Sequence, residues 1–402
     1  MEARWRALAI LTTARTSLGF QFQSLASVSP MLVPELGLSY GDLGFLIGLY
    51  FLPGVVLALP AGAIGRRFGD KRIVLVGLAM MAAGGAVTGL AGSSETLALG
   101  RALSGAGAIL LNVLMSKMVT DWFAGREIVL AMSIFVNAFP IGMGLAMLSL
   151  GWLAAVAGWG AALLAAAAFA TAAAALVAGA YAPHPNDGRG AAGSSAGTGW
   201  PRGRELVLVC LAGAMWGIYN GGFGAMFGFA PTFLAGAGLS VVEAGLVVGA
   251  TTWMIVASVQ AGGIVAQKWG RPAMLMTLGI VAWTACLVAL GTGRGSPVVW
   301  MICAGLLMGL PAGVIMSLPA QVLRPENRAV GMGVFYVCLY VGHGGLPALV
   351  GRVQDHAGSA AAAFHVTAAF VLSILVLFAI FRIGAARVAP SGGDPARGLT
   401  RS

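Results

Sequence analysis

The stretch GLSYGDLGFLIG, residues 37–48, has a near copy later in the chain, GLSVVEAGLVVG at residues 238–249. The shift that takes residue 37 to residue 238, which we call the repeat shift, aligns Pro30–Gly69 with Pro231–Gly270 without a gap. Glycines recur at matching positions along this alignment. Two related halves in one chain are typical of membrane transporters whose binding site lies at the interface between the halves.

The composition is that of a membrane protein with many spans. Of 402 residues, 59% are hydrophobic and only 9% are charged, and 61 are glycine. This profile excludes a soluble domain of ordinary size. The formal net charge of +10 has the explanation usual for membrane proteins, which retain Lys and Arg in cytoplasmic loops, so we expect no nucleic-acid partner.

Apolar runs of about 20 residues predict the membrane-spanning helices. Twelve spans are predicted, near 7–29, 43–64, 73–93, 96–118, 129–150, 155–181, 206–228, 241–265, 273–293, 298–320, 330–350 and 361–382. A stretch rich in Gly, Ser, Pro and Arg after the sixth span predicts a flexible linker. We therefore expect an all-α membrane protein. Its predicted parts are a six-helix bundle at 1–182, a cytoplasmic linker at 183–205, a second six-helix bundle at 206–384 and a cytoplasmic tail at 385–402.

The positions of the basic residues predict the orientation. With a cytoplasmic N-terminus, most of the 23 Lys and Arg residues fall in cytoplasmic tails and loops or at cytoplasmic helix ends. Only Arg294 and Arg352 fall on the other side, while Arg15 and Arg101 fall inside spans. This bias follows the positive-inside rule. We expect a multi-pass protein of the bacterial inner membrane with both termini in the cytoplasm.

Three short motifs carry a resemblance to a known family. GAIGRRFGDKR, residues 62–72, follows the second span, GIVAQKWGR, residues 263–271, follows the eighth, and RALSGAG, residues 101–107, lies in the fourth. They resemble the signature loops and the Arg-x-x-x-Gly-x-Gly pattern of the major facilitator superfamily. The resemblance implies that family's fold, with twelve transmembrane helices in two pseudo-symmetric six-helix bundles. It also implies that helices one, four, seven and ten line a central cavity.

The resemblance further implies that the first two motifs are gating loops. The Asp that the family carries in this loop is replaced by Arg66 in the first copy and by Gln267 in the second. Asp70 is the candidate substitute for the missing carboxylate. The predicted gating residues are Gly62, Arg66, Arg67, Gly69, Asp70, Lys268, Gly270 and Arg271. The alternative is that the arginines only obey the positive-inside rule.

Two arginines are predicted to lie within the membrane without a carboxylate near them. Arg15 falls close to the bilayer midplane, and every Asp and Glu falls in a loop, in a tail or at the end of a span. A charge at the centre of a span costs about 2.5–3.5 kcal/mol on insertion scales. We infer that an anionic substrate answers it, because Arg presents planar donors that match carboxylates and oxyanions. Arg101 has an alternative role, since it lies near the outer end of its span and can snorkel.

Helical spacing places polar and aromatic side chains on common faces of the spans. The predicted substrate-binding residues are Arg15, Gln23, Arg101, Asn112, Asn220, Tyr336, Tyr340 and His343. His343 is also the candidate proton carrier, because it is the one His predicted near the middle of the membrane. Close helix contact between its glycine neighbours is the alternative role for His343.

These features predict a secondary active transporter of a small anionic solute that works by alternating access. It is similar to the cyanate, nitrate/nitrite or monocarboxylate permeases of the family. The expected coupling partner is a proton or an exchanged anion, and we expect a monomer. The alternatives are a proton-coupled exporter of drugs or hydrophobic metabolites, and a non-transporting receptor. The sequence shows no nucleophile with a base and no metal-ligand cluster, so we expect no enzyme activity, no cofactor and no metal.

Overall fold

The computed structural model describes residues 2–123, 127–185, 187, 200–324 and 327–386. Within these ranges the chain forms fourteen α-helices and no strand. In chain order they are α1 (Ala3–Leu36), α2 (Tyr40–Leu49), α3 (Gly54–Phe68), α4 (Asp70–Gly89), α5 (Ser94–Phe123), α6 (Ile128–Ala157), α7 (Trp159–Ala180), α8 (Arg204–Gly236), α9 (Val241–Trp269), α10 (Pro272–Thr292), α11 (Pro297–Met308), α12 (Ala312–Val322), α13 (Arg328–Ala357) and α14 (Ala360–Ala386).

Twelve segments of the described chain can span a membrane. Eleven are long and apolar enough by themselves, and two of these, Tyr40–Phe68 and Pro297–Val322, each consist of two consecutive helices. Pro53 and Pro311 are the N-caps of the second helix in each pair, where a fixed φ and a missing N–H interrupt the helix. The twelfth is α1, whose 34 residues extend about 50 Å. The all-α fold with twelve spans is confirmed.

The predicted linker and tail lie mostly outside the described residues. Helix α8 begins at Arg204 and α14 ends at Ala386, so both helices extend past the predicted boundaries. Within the linker, Asp187 Oδ1 accepts hydrogen bonds from the backbone N–H groups of Asp70 and Lys71, at 2.6 and 3.3 Å. This part of the linker therefore caps the N-terminus of α4.

The repeat shift relates local structures in the two halves. Ser39 and Ser240 each begin a helix with a capping box, and Gly69 and Gly270 each end a helix with a positive φ. Helices α1–α7 form one bundle and α8–α14 form the other, with α2 against α13 and α6 against α9 between them. The predicted pair of pseudo-symmetric six-helix bundles is confirmed.

We name the two ends of the molecule by the chain termini. Because twelve spans alternate in direction, the start of α1 and the end of α14 lie at the same end, the terminal end. The turns that join α1 to α2 and α13 to α14 lie at the other end, the opposite end. These names are used for every position below.

The two bundles touch through their backbones toward the opposite end. Gly48 of α2 lies against Gly344 of α13 so closely that a Cβ on Gly48 would overlap the carbonyl oxygen of Gly344. Gly245 of α9 lies in the same way against the carbonyl oxygen of Met147 of α6. Glycine permits this approach because it has no Cβ. The closed opposite end thus depends on glycines in α2 and α9, two helices that the repeat shift relates.

A carboxylate also joins the bundles at the opposite end. Asp355, in the last turn of α13, accepts hydrogen bonds from the N–H groups of Tyr40 and Gly41, at 2.8 and 2.7 Å. These are the first residues of α2, where backbone N–H groups are free and the helix dipole favours negative charge. Asp355 therefore caps a helix of the other bundle.

Arg101 stabilises the first bundle from inside. Its side chain is 2% exposed and donates to the carbonyl oxygens of Leu46, Gln21 and Phe22, at 3.1, 3.1 and 3.4 Å. Its guanidinium carbon lies 4.6 Å from the ring centroid of Tyr50. These contacts tie α5 to α1 and α2 inside the bundle, so the side chain does not snorkel. A direct role of Arg101 in solute binding stays a prediction. The acceptors for this charge are backbone carbonyl oxygens, which cannot be recognised from the residue types in the sequence.

Replacing Gly48 by Ala is expected to open the opposite end. The added Cβ would collide with a backbone oxygen of the other bundle, and a backbone cannot rotate away as a side chain can. Spin labels at Glu95 and Ser359, exposed positions at this end of the two bundles, should report longer distances by double electron–electron resonance. Gly345→Ala is the control, because a Cβ there meets nothing within 4 Å. Unchanged distances in Gly48→Ala would contradict this account of closure.

Replacing Arg101 by Gln is expected to destabilise the whole protein. The change leaves buried carbonyls with fewer donors and should lower the free energy of unfolding by about 2–3 kcal/mol. Thermal unfolding in detergent should show a clearly lower Tm than the wild type. The control is Arg72→Gln, since Arg72 is exposed on α4. Equal Tm values for the two variants would mean that the carbonyl contacts contribute little.

Candidate functional site

Arg15 lies between the two bundles. Its guanidinium carbon is 4.4 Å from the ring centroid of Phe135, which belongs to α6 in the first bundle. Tyr336 and Tyr340, on α13 of the second bundle, lie within electrostatic range of it. The side chain of Arg15 is half-buried. The predicted central arginine therefore faces the interface between the halves and not the lipid.

No described residue forms a hydrogen bond or an ion pair with the Arg15 side chain. Its Nε is buried and has no partner, and the same holds for Thr12 Oγ1, one turn away on α1. The ion pairs of the described chain involve other basic residues. A buried cation without a partner is costly. The interface therefore carries a fixed positive charge, and the N–H donors of Arg15 are available to a ligand.

Asn112 extends the site to a third helix of the first bundle. The side chain of Asn112, on α5, lies next to that of Tyr340, and its Oδ1 is buried without a hydrogen-bond partner. Four of the predicted residues therefore lie together, namely Arg15, Asn112, Tyr336 and Tyr340. Their helices are the first, fourth and eleventh spans, and Phe135 adds the fifth.

Aromatic rings cover the side of the site that faces the opposite end. We call these rings the aromatic layer, and its members are Phe22, Phe51, Phe139, Phe223 and His343. Phe22 lies seven residues beyond Arg15 on α1, about 10 Å along the helix. Ring centroids of Phe22 lie 5.0 Å from Phe51 and 5.8 Å from Phe139. Phe139 and Phe223 are only half-buried, so part of each ring remains accessible.

His343 is a member of this layer. Its ring stacks on Phe51 with a centroid distance of 3.9 Å and lies edge-on to Phe223 at 6.5 Å. Its Nε2 is buried without a hydrogen-bond partner. A Cβ on Gly224 of α8 would lie 3.2 Å from that nitrogen. The roles of His343 in solute binding and proton transfer stay predictions.

Two other predicted polar residues are engaged in helix contacts. Gln23 Nε2 donates to the carbonyl oxygen of Phe227 at 3.2 Å, a bond that joins α1 to α8 across the bundles. Asn220 Nδ2 donates to the carbonyl oxygen of Trp216 at 2.8 Å, within α8 itself. Neither bond involves Arg15, so a direct role for these two residues at the site stays a prediction.

The predicted gating loops lie at the terminal end. Arg66, Arg67, Lys268 and Arg271 are exposed there, and the Arg67 guanidinium carbon lies 5.3 Å from the neighbouring Phe68 ring centroid. Gly62, Gly69 and Gly270 belong to the same loops and helix ends. Exposed side chains can form new contacts when the bundles move. Their gating role stays a prediction.

Asp70 is the buried member of the gating set. Its side chain is 1% exposed and forms an ion pair with Lys117 of α5, which also pairs with Asp121 at 2.9 Å. Both ion pairs lie within the first bundle. The pair with Asp70 holds α4 against α5, whereas the pair with Asp121 lies within α5. The described carboxylate contact between the bundles is instead that of Asp355, which sequence reasoning missed.

Sequence reasoning also missed Phe135, and of the aromatic layer it predicted only His343 as a binding residue. Phe135 and Phe139 are one helical turn apart on α6 and so share a face. That spacing is the signal that could have found them. It does not say whether the shared face meets lipid or the other bundle.

Comparison with known proteins places this architecture in a family. The profile of the Major Facilitator Superfamily matches residues 11–347. The inner membrane transport protein YajR of Escherichia coli is 34% identical over 28% of this chain, and the multidrug efflux pump LfrA of Mycolicibacterium smegmatis is 31% identical over 39%. The chain matches only 24% and 31% of the lengths of these curated relatives.

Solved structures show the same fold along nearly the whole chain. A bacterial homologue of the human lysosomal transporter Spinster, inward-facing and unoccupied, superposes with a TM-score of 0.77 at 16% identity, covering 98% of this chain and 99% of that one. The nucleoside transporter NupG superposes with a TM-score of 0.73 at 16% identity, covering 95% and 100%. With the profile match over most of its length, the chain belongs to the Major Facilitator Superfamily.

Proposed function

We propose that this protein is a secondary active transporter of a small anionic solute, which binds at Arg15 and crosses the membrane by alternating access. Membership of the family makes it a membrane transporter. The charge of the solute is inferred from one observation. Arg15 is a half-buried cation between the two bundles, and no described carboxylate pairs with it.

The geometry of Arg15 favours an anion that binds at the edge of the guanidinium. Phe135 covers one face of the group, which leaves the N–H groups in its plane to donate. Carboxylates and oxyanions accept such paired donors well, and charge-assisted bonds of this kind are about twice as strong as neutral ones. The phenols of Tyr336 and Tyr340 add further donors close by.

We propose that the terminal end faces the cytoplasm of a bacterium and that both termini lie there. The exposed Arg66, Arg67, Lys268 and Arg271 at that end agree with the positive-inside rule. Because the opposite end is closed, the solute site would then open toward the cytoplasm. The likeness to a structure described as inward-facing supports this assignment.

The membrane potential limits the coupling. A potential that is negative inside opposes uptake of a monovalent anion by about 2.3 kcal/mol per 100 mV. Uptake therefore needs a co-transported proton or an exchanged anion, whereas efflux runs downhill. His343 is the candidate proton carrier, since its Nε2 is buried between the bundles without a partner and an imidazole nitrogen can accept and release a proton.

A drug exporter is the second candidate. It is favoured by the similarity to a multidrug efflux pump and by the half-buried rings of Phe139 and Phe223. A cationic drug, however, would be repelled by Arg15. No described Asp or Glu forms a hydrogen bond or ion pair with that residue.

Arg15→Gln is expected to keep the fold and lose anion binding. Because Arg15 has no described partner, its replacement should leave the Tm of the ligand-free protein unchanged or raise it. Small anions that stabilise the wild type by about 2.7 kcal/mol at 100 times their Kd should no longer do so. A thermal-shift screen of purified protein in detergent measures both effects, with Arg72→Gln as the control. Neutral or cationic ligands that stabilise wild type and Arg15→Gln equally would contradict the proposal.

His343→Asn is expected to separate proton coupling from solute movement. In proteoliposomes, the variant should lose anion uptake that is driven by a pH gradient but keep exchange of anion for anion. Flux of radiolabelled anion under each gradient is the measurement. Undiminished pH-driven uptake in the variant would exclude His343 as the proton carrier.

A further inference from the structure

We infer that the solute is an aromatic monocarboxylate, a single carboxylate joined to a flat apolar ring. The inference rests on the proposed function and makes it more specific. It depends on two adjoining parts of the interface, the Arg15 guanidinium edge and the aromatic layer. Together they form a site that is cationic on one side and apolar on the other.

The charge of the site fits a monoanion. Of the two arginines predicted well inside spans, Arg101 donates to three backbone carbonyls, whereas Arg15 has no described protein acceptor. A dianion would bring a second negative charge into a region of low dielectric without a second cation to answer it. Dicarboxylates, sulfate and doubly charged phosphates are therefore disfavoured.

The apolar side of the site fits an aromatic body. Phe139 lies one turn beyond Phe135 on α6, and Phe223 lies across the interface on α8. Both rings are half-buried, so each can lose accessible surface to a bound ligand. Aromatic pairs favour stacked or edge-on contact at centroid distances of about 4.5–7 Å, the range of the Phe22–Phe139 and Phe223–His343 pairs of the layer. A bare inorganic anion would gain nothing from these rings and would lose its hydration beside them.

The length of the site also favours an organic anion. Arg15 and Phe22 occupy nearly the same face of α1, about 10 Å apart along its axis. A carboxylate on Arg15 would place a directly attached phenyl ring between the guanidinium and the aromatic layer. Acetate or nitrate at Arg15 would not reach the layer. The guanidinium and the aromatic layer can bind one molecule together only if that molecule has a carboxylate at one end and an aromatic ring at the other.

The test compares five probes on the full-length protein in detergent by isothermal titration calorimetry. They are benzoate, acetate, nitrate, the dianion phthalate and the neutral benzamide, which also controls for partition of the ring into detergent. Benzoate should bind at least tenfold more tightly than acetate or nitrate, because its ring is removed from water. Phthalate and benzamide should bind at least tenfold more weakly than benzoate.

Two variants locate the effect. Phe139→Leu should weaken benzoate binding about tenfold and change acetate binding by less than about twofold. The matched control is Phe169→Leu, a half-buried ring that pairs with Phe20 within the first bundle and should leave both affinities unchanged. Because Leu retains most of the apolar volume, Phe139→Leu is expected to fold, and its Tm reports whether it does.

The failures of the inference and of the proposed function differ. If acetate, nitrate or phthalate binds as tightly as benzoate, and Arg15→Gln abolishes that binding, the aromatic solute is excluded while the anion transporter stands. Equal benzoate affinity in Phe139→Leu and in the wild type would also exclude the aromatic solute. If benzamide binds as tightly as benzoate, or if Arg15→Gln keeps benzoate binding, both fail.

Discussion

A guanidinium inside a membrane protein needs hydrogen-bond acceptors or a counter-charge. The two arginines within spans of this chain differ in how this need is met. Arg101 is enclosed by backbone carbonyls of its own bundle and holds three helices together. Arg15 has the face of Phe135 beside it but no described acceptor. The cost of an unanswered charge in a low-dielectric interior is therefore concentrated at the interface between the bundles. That is the place where an alternating-access carrier uses binding energy.

The repeat and the number of spans could be predicted because they depend on local sequence. Capping boxes at Ser39 and Ser240 and positive-φ glycines at Gly69 and Gly270 act within a few residues. The lack of a carboxylate partner for Arg15 was predictable for a different reason, since the sequence places no acidic residue in mid-span. The partners of Arg101 were not predictable, because backbone carbonyls have no signature in the residue types. Most of the aromatic layer was missed because its rings come from four separate helices and from the turn between α2 and α3.

The contacts between the bundles differ in kind from the contacts within them. Glycines place backbone against backbone at the opposite end, and Asp355 caps α2 across the interface. Within the first bundle, Lys117 holds α5 to α4 through the buried carboxylate of Asp70. Hydrogen bonds to exposed helix N–H groups can exchange with water at modest cost, whereas a buried ion pair cannot. The interface can therefore separate while each bundle moves as a rigid body.

The polarity of α1 has a consequence for how the protein is made. The helix is less hydrophobic than the eleven segments that can span a membrane by their own composition. It carries Arg15 together with Ser, Thr and Gln side chains along its length. Its buried side includes Ser17, Gln21 and Ser24, which bond to protein groups supplied by later helices or by α1 itself. During synthesis α1 leaves the ribosome before any of those later helices exist. Stable residence of α1 in lipid must therefore await α4 and α5, so the insertion machinery has to retain the first helix until the bundle assembles around it.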